Sequence, residues 1–143
     1  MKYIITFFAV VLLVTACSRH EDSADDKIRK KLLGTWVLEA RYEGGSDMRS
    51  TVTIAPDGSY ACTLDLPGRT NGPRTISMEG TFRVEDGFLI DTVTKHSQTN
   101  AKWPNTSRSR IVRIDDRELV LEYERLPEFG YPTNETVYRK QTK

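Results

Sequence analysis

The chain has 143 residues, enough for one domain built around one core. Its 21 basic and 20 acidic residues leave a formal net charge of +1. So even a balance argues against nucleic acid as a partner, because that binding needs a basic face to exchange for phosphate counterions.

The first element is an apolar run from Ile4 to Val14, broken only by Thr6 and preceded by Lys2. It is shorter than the about 20 residues of a membrane span and suits the apolar centre of an export signal. It ends in Val14-Thr15-Ala16-Cys17, which resembles the lipobox of bacterial lipoproteins. The resemblance implies a signal peptide over residues 1–16 and a mature chain that begins with acylated Cys17 and meets the membrane there. Several acyl chains on one residue anchor stably, since each buried methylene contributes about 0.8 kcal/mol and one chain alone is marginal. Ser18 in the next position implies, by the same resemblance, the outer membrane of the cell envelope. The alternative is an ordinary cleaved signal in which this cysteine has no role. With Cys17 acylated, Cys62 has no partner for an intrachain disulfide and reads as a small buried hydrophobe in a strand.

Residues 17–26 are polar and acidic and read as a flexible tether. Ser23 and Asp26 have capping-box spacing. Ile28 and Leu32 fall four apart, and Lys27, Arg29, Lys30 and Lys31 crowd the later turn, so a short helix is predicted over about 23–33. Gly34 is placed to end it.

From Thr35 the period becomes two. Trp36, Leu38, Ala40 and Tyr42 share a face of the first strand. Val52 and Ile54 mark a second strand, ended by Pro56-Asp57-Gly58. Tyr60, Cys62, Leu64 and Leu66 mark the third. Ile76, Met78, Gly80, Phe82 and Val84 mark the fourth, followed by Glu85-Asp86-Gly87. Further strands are predicted over 88–95, 107–114, 119–123 and 135–140. Eight strands in a row without a helix between them argue for an antiparallel all-β domain. Long and short connections alternate. In an up-and-down meander this gathers the long loops (43–50, 67–74, 96–106, 126–133) at one end and the tight turns at the other. A sheet of eight strands with one apolar face can close and remove its edges. The expected fold is therefore an eight-stranded antiparallel up-and-down barrel over 27–143, preceded by a short helix.

Gly34-Thr35-Trp36, after a helical turn and at the start of the first strand, resembles the Gly-x-Trp signature of lipocalins. With Val137-Tyr138-Arg139 at the close, residues 33–140 are similar to the short lipocalin-like domains of bacterial lipoproteins. The resemblance implies that a late basic residue, here Arg139, packs over Trp36 at the barrel base. It also implies a binding protein for a small apolar or amphipathic ligand. There is no disulfide pair and no clear second lipocalin motif, and the short strands leave open whether side chains fill the interior.

The sequence points away from an enzyme. Its histidines are His20, in the tether, and His96, at a loop start, and no strained nucleophile turn is present. No cofactor or metal is implied, since no Cys or His cluster has ligand spacing. The mouth is the better candidate, with Trp103, Phe129 and Tyr131 in its loops and Arg69, Arg74 and Lys102 nearby. Phe129 and Tyr131 either form a rim or fold back as a plug. Tyr42, Tyr60 and Tyr123 either offer hydroxyls to a ligand or pack the core. Arg110 points inward if Val112 and Ile114 do, and outward if Ile111 is the inner residue. Three functional readings follow, in this order: a lipid-anchored binder of a small ligand, an envelope module that docks another protein through the long loops, and last an enzyme.

Overall fold

Helix α1 (Ala24–Leu32) is the first element among the described residues. Its first turn carries a reciprocal capping box: the Ser23 hydroxyl accepts from Asp26 N at 3.1 Å and Ser23 N donates to the Asp26 carboxylate at 3.1 Å. Acidic residues occupy the first turn and Arg29, Lys30 and Lys31 the last, as the helix dipole favours. The computed structural model describes residues 22–41, 47–98, 106–123 and 135–142. The sequence expectations for Cys17, Tyr42, Trp103, Phe129 and Tyr131 lie outside the described residues.

Eight strands follow: β1 (Gly34–Arg41), β2 (Asp47–Ile54), β3 (Ser59–Asp65), β4 (Thr75–Glu85), β5 (Phe88–His96), β6 (Thr106–Ile114), β7 (Glu118–Tyr123) and β8 (Glu135–Lys140). Each pairs antiparallel with the next, and β8 pairs with β1 through Trp36↔Lys140 and Val37↔Arg139, so the barrel is closed. The period-two pattern decides which side is inside. Along β4, Ile76, Gly80 and Phe82 are buried while Thr75, Ser77, Glu79, Thr81 and Arg83 are exposed.

Tight turns close the base. Asp86 and Gly87 both take positive φ (52° and 76°), the primed geometry that matches strand twist in a two-residue hairpin. The Asp57 carboxylate accepts from Ser59 N at 2.9 Å in the β2–β3 turn, and Asp115 accepts from Arg117 N and Glu118 N, each at 2.8 Å, in the β6–β7 turn. Helix α1 sits across this end. The Asp25 carboxylate accepts from Asp86 N (2.9 Å) and Gly87 N (3.1 Å), and Arg29 donates to Pro56 O at 3.3 Å. Beneath it, Leu32 and Trp36 are fully buried.

The core has two levels. The larger cluster, near the base, includes Trp36, Ile54, Phe82, Leu89, Leu119 and Tyr138. A smaller one toward the mouth holds Met48, Leu64 and Ile76.

Two expectations are corrected, and the facing of Arg110, left open by the sequence, is given by the structure. The loop over 43–50 is shorter, because β2 already begins at Asp47, where pairing with β1 (Ala40↔Met48) brings Met48 and Ser50 into the wall. The cation over Trp36 is Lys140, its Nζ 5.0 Å from the ring centroid, while Arg139 is exposed on the opposite parity of β8. Arg110 faces outward and pairs with Glu122 at 2.6 Å. A register shift between Ile111 and Arg113 lets Ile111 and Ile114 both pack on the core although they are three apart.

Candidate functional site

Among the described residues, the hollows include an inner chamber and a cleft at the mouth. The inner chamber measures about 80 Å³ and is walled near the base by Trp36, Phe82, Leu89 and Leu121. Its polar side is made by strands β3, β5, β6, β7 and β8, whose inward parity presents Tyr60, Asp91, Ser109, Tyr123 and Tyr138. Asp91 stands where period two would call for an apolar residue after Leu89. The Ser107 hydroxyl donates to Asp91 Oδ1 at 2.5 Å, and the Tyr60 hydroxyl approaches Oδ2 at 3.5 Å, a long contact. Burial pushes the Asp91 carboxyl above its usual range, partly opposed by these hydroxyls. Burial, with the neighbouring Asp91 charge, likewise drives the Tyr60 phenol strongly upward, so it stays a neutral donor. The Tyr123 and Tyr138 hydroxyls hydrogen-bond each other at 2.9 Å. Cys62 is buried, 3.6 Å from the Ser50 hydroxyl, and burial raises its thiol pKa, which keeps it unreactive.

The second hollow is an open cleft of about 790 Å³ at the mouth, between the upper ends of β1 to β4. Ala40, Met48, Leu66 and Pro67 supply apolar surface. Glu39, Asp47, Arg49, Asp65 and Arg74 supply charges of both signs around it.

These hollows sort the sequence candidates. Tyr60, Tyr123 and Trp36 line the inner chamber. Gly34 and Trp36 sit at the base end of β1, with Gly34 at φ 116° and only 3.2 Å between an added Cβ and Lys140 Cε. Arg69 is exposed in the β3–β4 connection, where its Nε donates to Asn71 O at 2.8 Å, and it belongs to neither hollow. Arg110 and Arg139 lie outside the barrel. His96 Nδ1 accepts from Gln98 N at 2.9 Å, whereas Asp91 is engaged by Ser107 and Tyr60. Among the described residues, no group of three or more His, Cys, Asp or Glu side chains is placed to hold a metal ion.

Several contributors were not foreseen as site residues, among them Ser109 and Tyr138 in the chamber and Leu66 at the cleft, and two others show why. Met48 was hidden in a segment read as loop. Asp91 lies in the strand predicted over 88–95, to which the sequence reading assigned no inner face, although Leu89-Ile90-Asp91 already gives it the parity of Leu89.

No protein-family model matches the chain, and no curated protein matches it in sequence. Among solved structures it is similar to a lipocalin-like protein from Bacteroides uniformis. The TM-score is 0.53 at 18% identity, over 78% of this chain and 99% of that one. At that identity the likeness speaks to architecture alone: a short helix followed by a closed eight-stranded antiparallel barrel, a lipocalin-like fold.

Proposed function

We propose that this chain is a lipid-anchored binding protein of the bacterial envelope that holds a small amphipathic ligand at the mouth of its barrel. The observation that carries the ligand reading is the disparity between the two hollows. Small-molecule sites commonly occupy about 300–1,000 Å³. The mouth cleft, at about 790 Å³, is of that size, and the inner chamber, at about 80 Å³, is not. The apolar patch of Met48, Leu66 and Pro67 beside Arg74, with Arg49 on the outward parity and paired with Glu39 at the outer rim, suits a ligand with an apolar body and a polar or charged end. Eight-stranded barrels of lipocalin type are wide enough to hold one small ligand, and such folds typically serve binding without catalysis. The anchor rests on Val14-Thr15-Ala16-Cys17. Because α1 crosses the base, the mouth opens away from the tether.

The nearly filled bore favours a second reading, in which the mouth docks another envelope protein. A fluorescence titration with 11-(dansylamino)undecanoic acid separates the two. Saturable binding, weakened about tenfold or more by Leu66→Asp with the fold intact, supports the ligand reading. Absence of binding, or binding indifferent to Leu66→Asp and Arg74→Glu, overturns it. For the anchor, Cys17→Ser should move the protein from the membrane to the soluble fraction, and unchanged sedimentation with membranes overturns that part.

A further inference from the structure

Among the described residues, the inner chamber shares no lining residue with the mouth cleft. It has a chemistry of its own. One carboxylate, Asp91, enters it, and among the described residues no cationic side chain lines it. A carboxylate inside a barrel is stabilised by a counter-charge or by hydrogen-bond donors. Here Oδ1 is occupied by Ser107, while Oδ2 has only the 3.5 Å approach of the Tyr60 hydroxyl and retains acceptor capacity. The remaining polar wall consists of hydroxyls, which accept as readily as they donate: Ser109, only 1% exposed, and the Tyr123–Tyr138 pair. The other wall is aromatic and aliphatic and includes Phe82 and Trp36, whose ring already carries Lys140 Nζ 5.0 Å from its centroid.

We propose that this chamber is a recognition site for a compact primary ammonium group, either as a free small amine or as the head of a larger one. An ammonium has three donors and no acceptor, which complements a wall of one carboxylate and several hydroxyl oxygens. The surrounding aromatic rings add cation–π attraction for the same charge. Size sets the limit. At about 80 Å³ the chamber is well below the roughly 300–1,000 Å³ of common small-molecule sites, so it suits a compact group. Methylammonium and ethylammonium meet that limit.

Trp36 lines the chamber and reports on it, and in protein carrying Trp103→Phe it is the sole tryptophan. The emission of that protein is followed during titration with ethylammonium chloride, with ethanol as the neutral analogue and sodium chloride at equal ionic strength. The expected result is a saturable change with ethylammonium, about tenfold or more tighter than with ethanol and absent with sodium chloride. Asp91→Asn should remove the preference for ethylammonium while far-UV circular dichroism stays unchanged. If Asp91→Asn does not fold, the contrast between ethylammonium and ethanol on the Asp91 protein decides alone. Equal affinity for the two marks a merely apolar hollow and overturns the proposal, as does the lack of any saturable response. Binding of the dansylated probe at the mouth is read separately, so either site can fail without the other.

Discussion

The indole Nε1 of Trp36 donates a 2.7 Å hydrogen bond to the carbonyl oxygen of Leu32, and both residues are fully buried. The last carbonyls of a helix have no partner within it. Here the barrel supplies two: Trp36 for Leu32, and Lys140, whose Nζ donates to Lys31 O at 3.0 Å. Since Trp36 is on β1 and Lys140 on β8, the two strands that close the barrel meet the end of α1 at one point. Trp36→Ala should therefore cost about 3–5 kcal/mol as a large core truncation. Trp36→Phe keeps most of the ring but orphans the buried Leu32 carbonyl, for about 1–3 kcal/mol. Urea unfolding measures both, and a Phe variant as stable as the parent would show that the hydrogen bond contributes nothing.

The two basic residues at the end of β8 should differ. Lys140 lies over the Trp36 ring and bonds the helix end, whereas Arg139 is exposed on the outer wall. Lys140→Ala should lose about 1 kcal/mol, from the cation–π contact and the carbonyl bond together. Arg139→Ala should stay within about 0.5 kcal/mol. The reverse order in a denaturation comparison would restore Arg139 as the closing residue.

Much of this barrel is legible in the sequence because its strands obey period two and two of its three tight turns carry an Asp-Gly pair. Misreadings and open alternatives arose where parity was broken or disguised. On β8, Tyr138 points inward, so Lys140 two positions on reaches the base and Arg139 cannot. On β6, the bulge near Val112 changes parity mid-strand, and no local residue announces it. On β2, Met48 and Ser50 face inward between Asp47 and Arg49, so polar composition masked a strand that only its pairing with β1 defines. The inner chamber is a property of all eight strands together, its polar side of five, and has no local signature. Asp91 becomes meaningful only once Tyr60, Ser109 and the Tyr123–Tyr138 pair are placed around it.

The helix should behave as a detachable cover. Its link to the β4–β5 turn is the Asp25 carboxylate on Asp86 N and Gly87 N, both outside the sheet ladder. Asp25→Ala removes two charge-assisted bonds and should destabilise by about 1–3 kcal/mol. Hydrogen exchange should show faster amides in α1 and at Asp86 and Gly87, with the ladder between β2 and β3 unchanged. Uniform loss of protection across the barrel would show that α1 is part of the global folding unit.

Gly80 should tolerate no side chain. The register of β4 on β5 shifts between Glu79 and Gly80, and the Tyr60 ring lies against the glycine. A Cβ there would stand 2.1 Å from Thr92 O and 2.7 Å from Tyr60 Cε1. The first clash is with backbone in the paired strand, so rotating a side chain cannot relieve it. Gly80→Ala should cost about 3 kcal/mol or more. Pairing it with Tyr60→Ala should recover only the part due to the ring, and full rescue would show that the backbone contact is easily relaxed.

Asp91 should make stability fall as pH rises. Burial raises its carboxyl pKa in the folded chain, opposed by bonds from Ser107 and Tyr60. The folded state thus holds the proton more tightly than the unfolded chain. The contribution is fully present below the ordinary carboxylate pKa and is lost as pH climbs through the raised folded value. Tyr60 and Cys62, the titratable groups facing Asp91 from β3, are themselves raised by burial and stay neutral across that window. Asp91→Asn keeps an oxygen for the Ser107 hydroxyl and removes the titration. Its stability relative to the parent should therefore be greater at pH 7 than at pH 4, as urea unfolding at the two values would show. A difference independent of pH would mean that Asp91 ionises in the barrel as readily as in the unfolded chain. Ethylammonium should act in the opposite sense, favouring the ionised carboxylate and so stabilising the parent, but not Asp91→Asn, more at pH 7 than at pH 4.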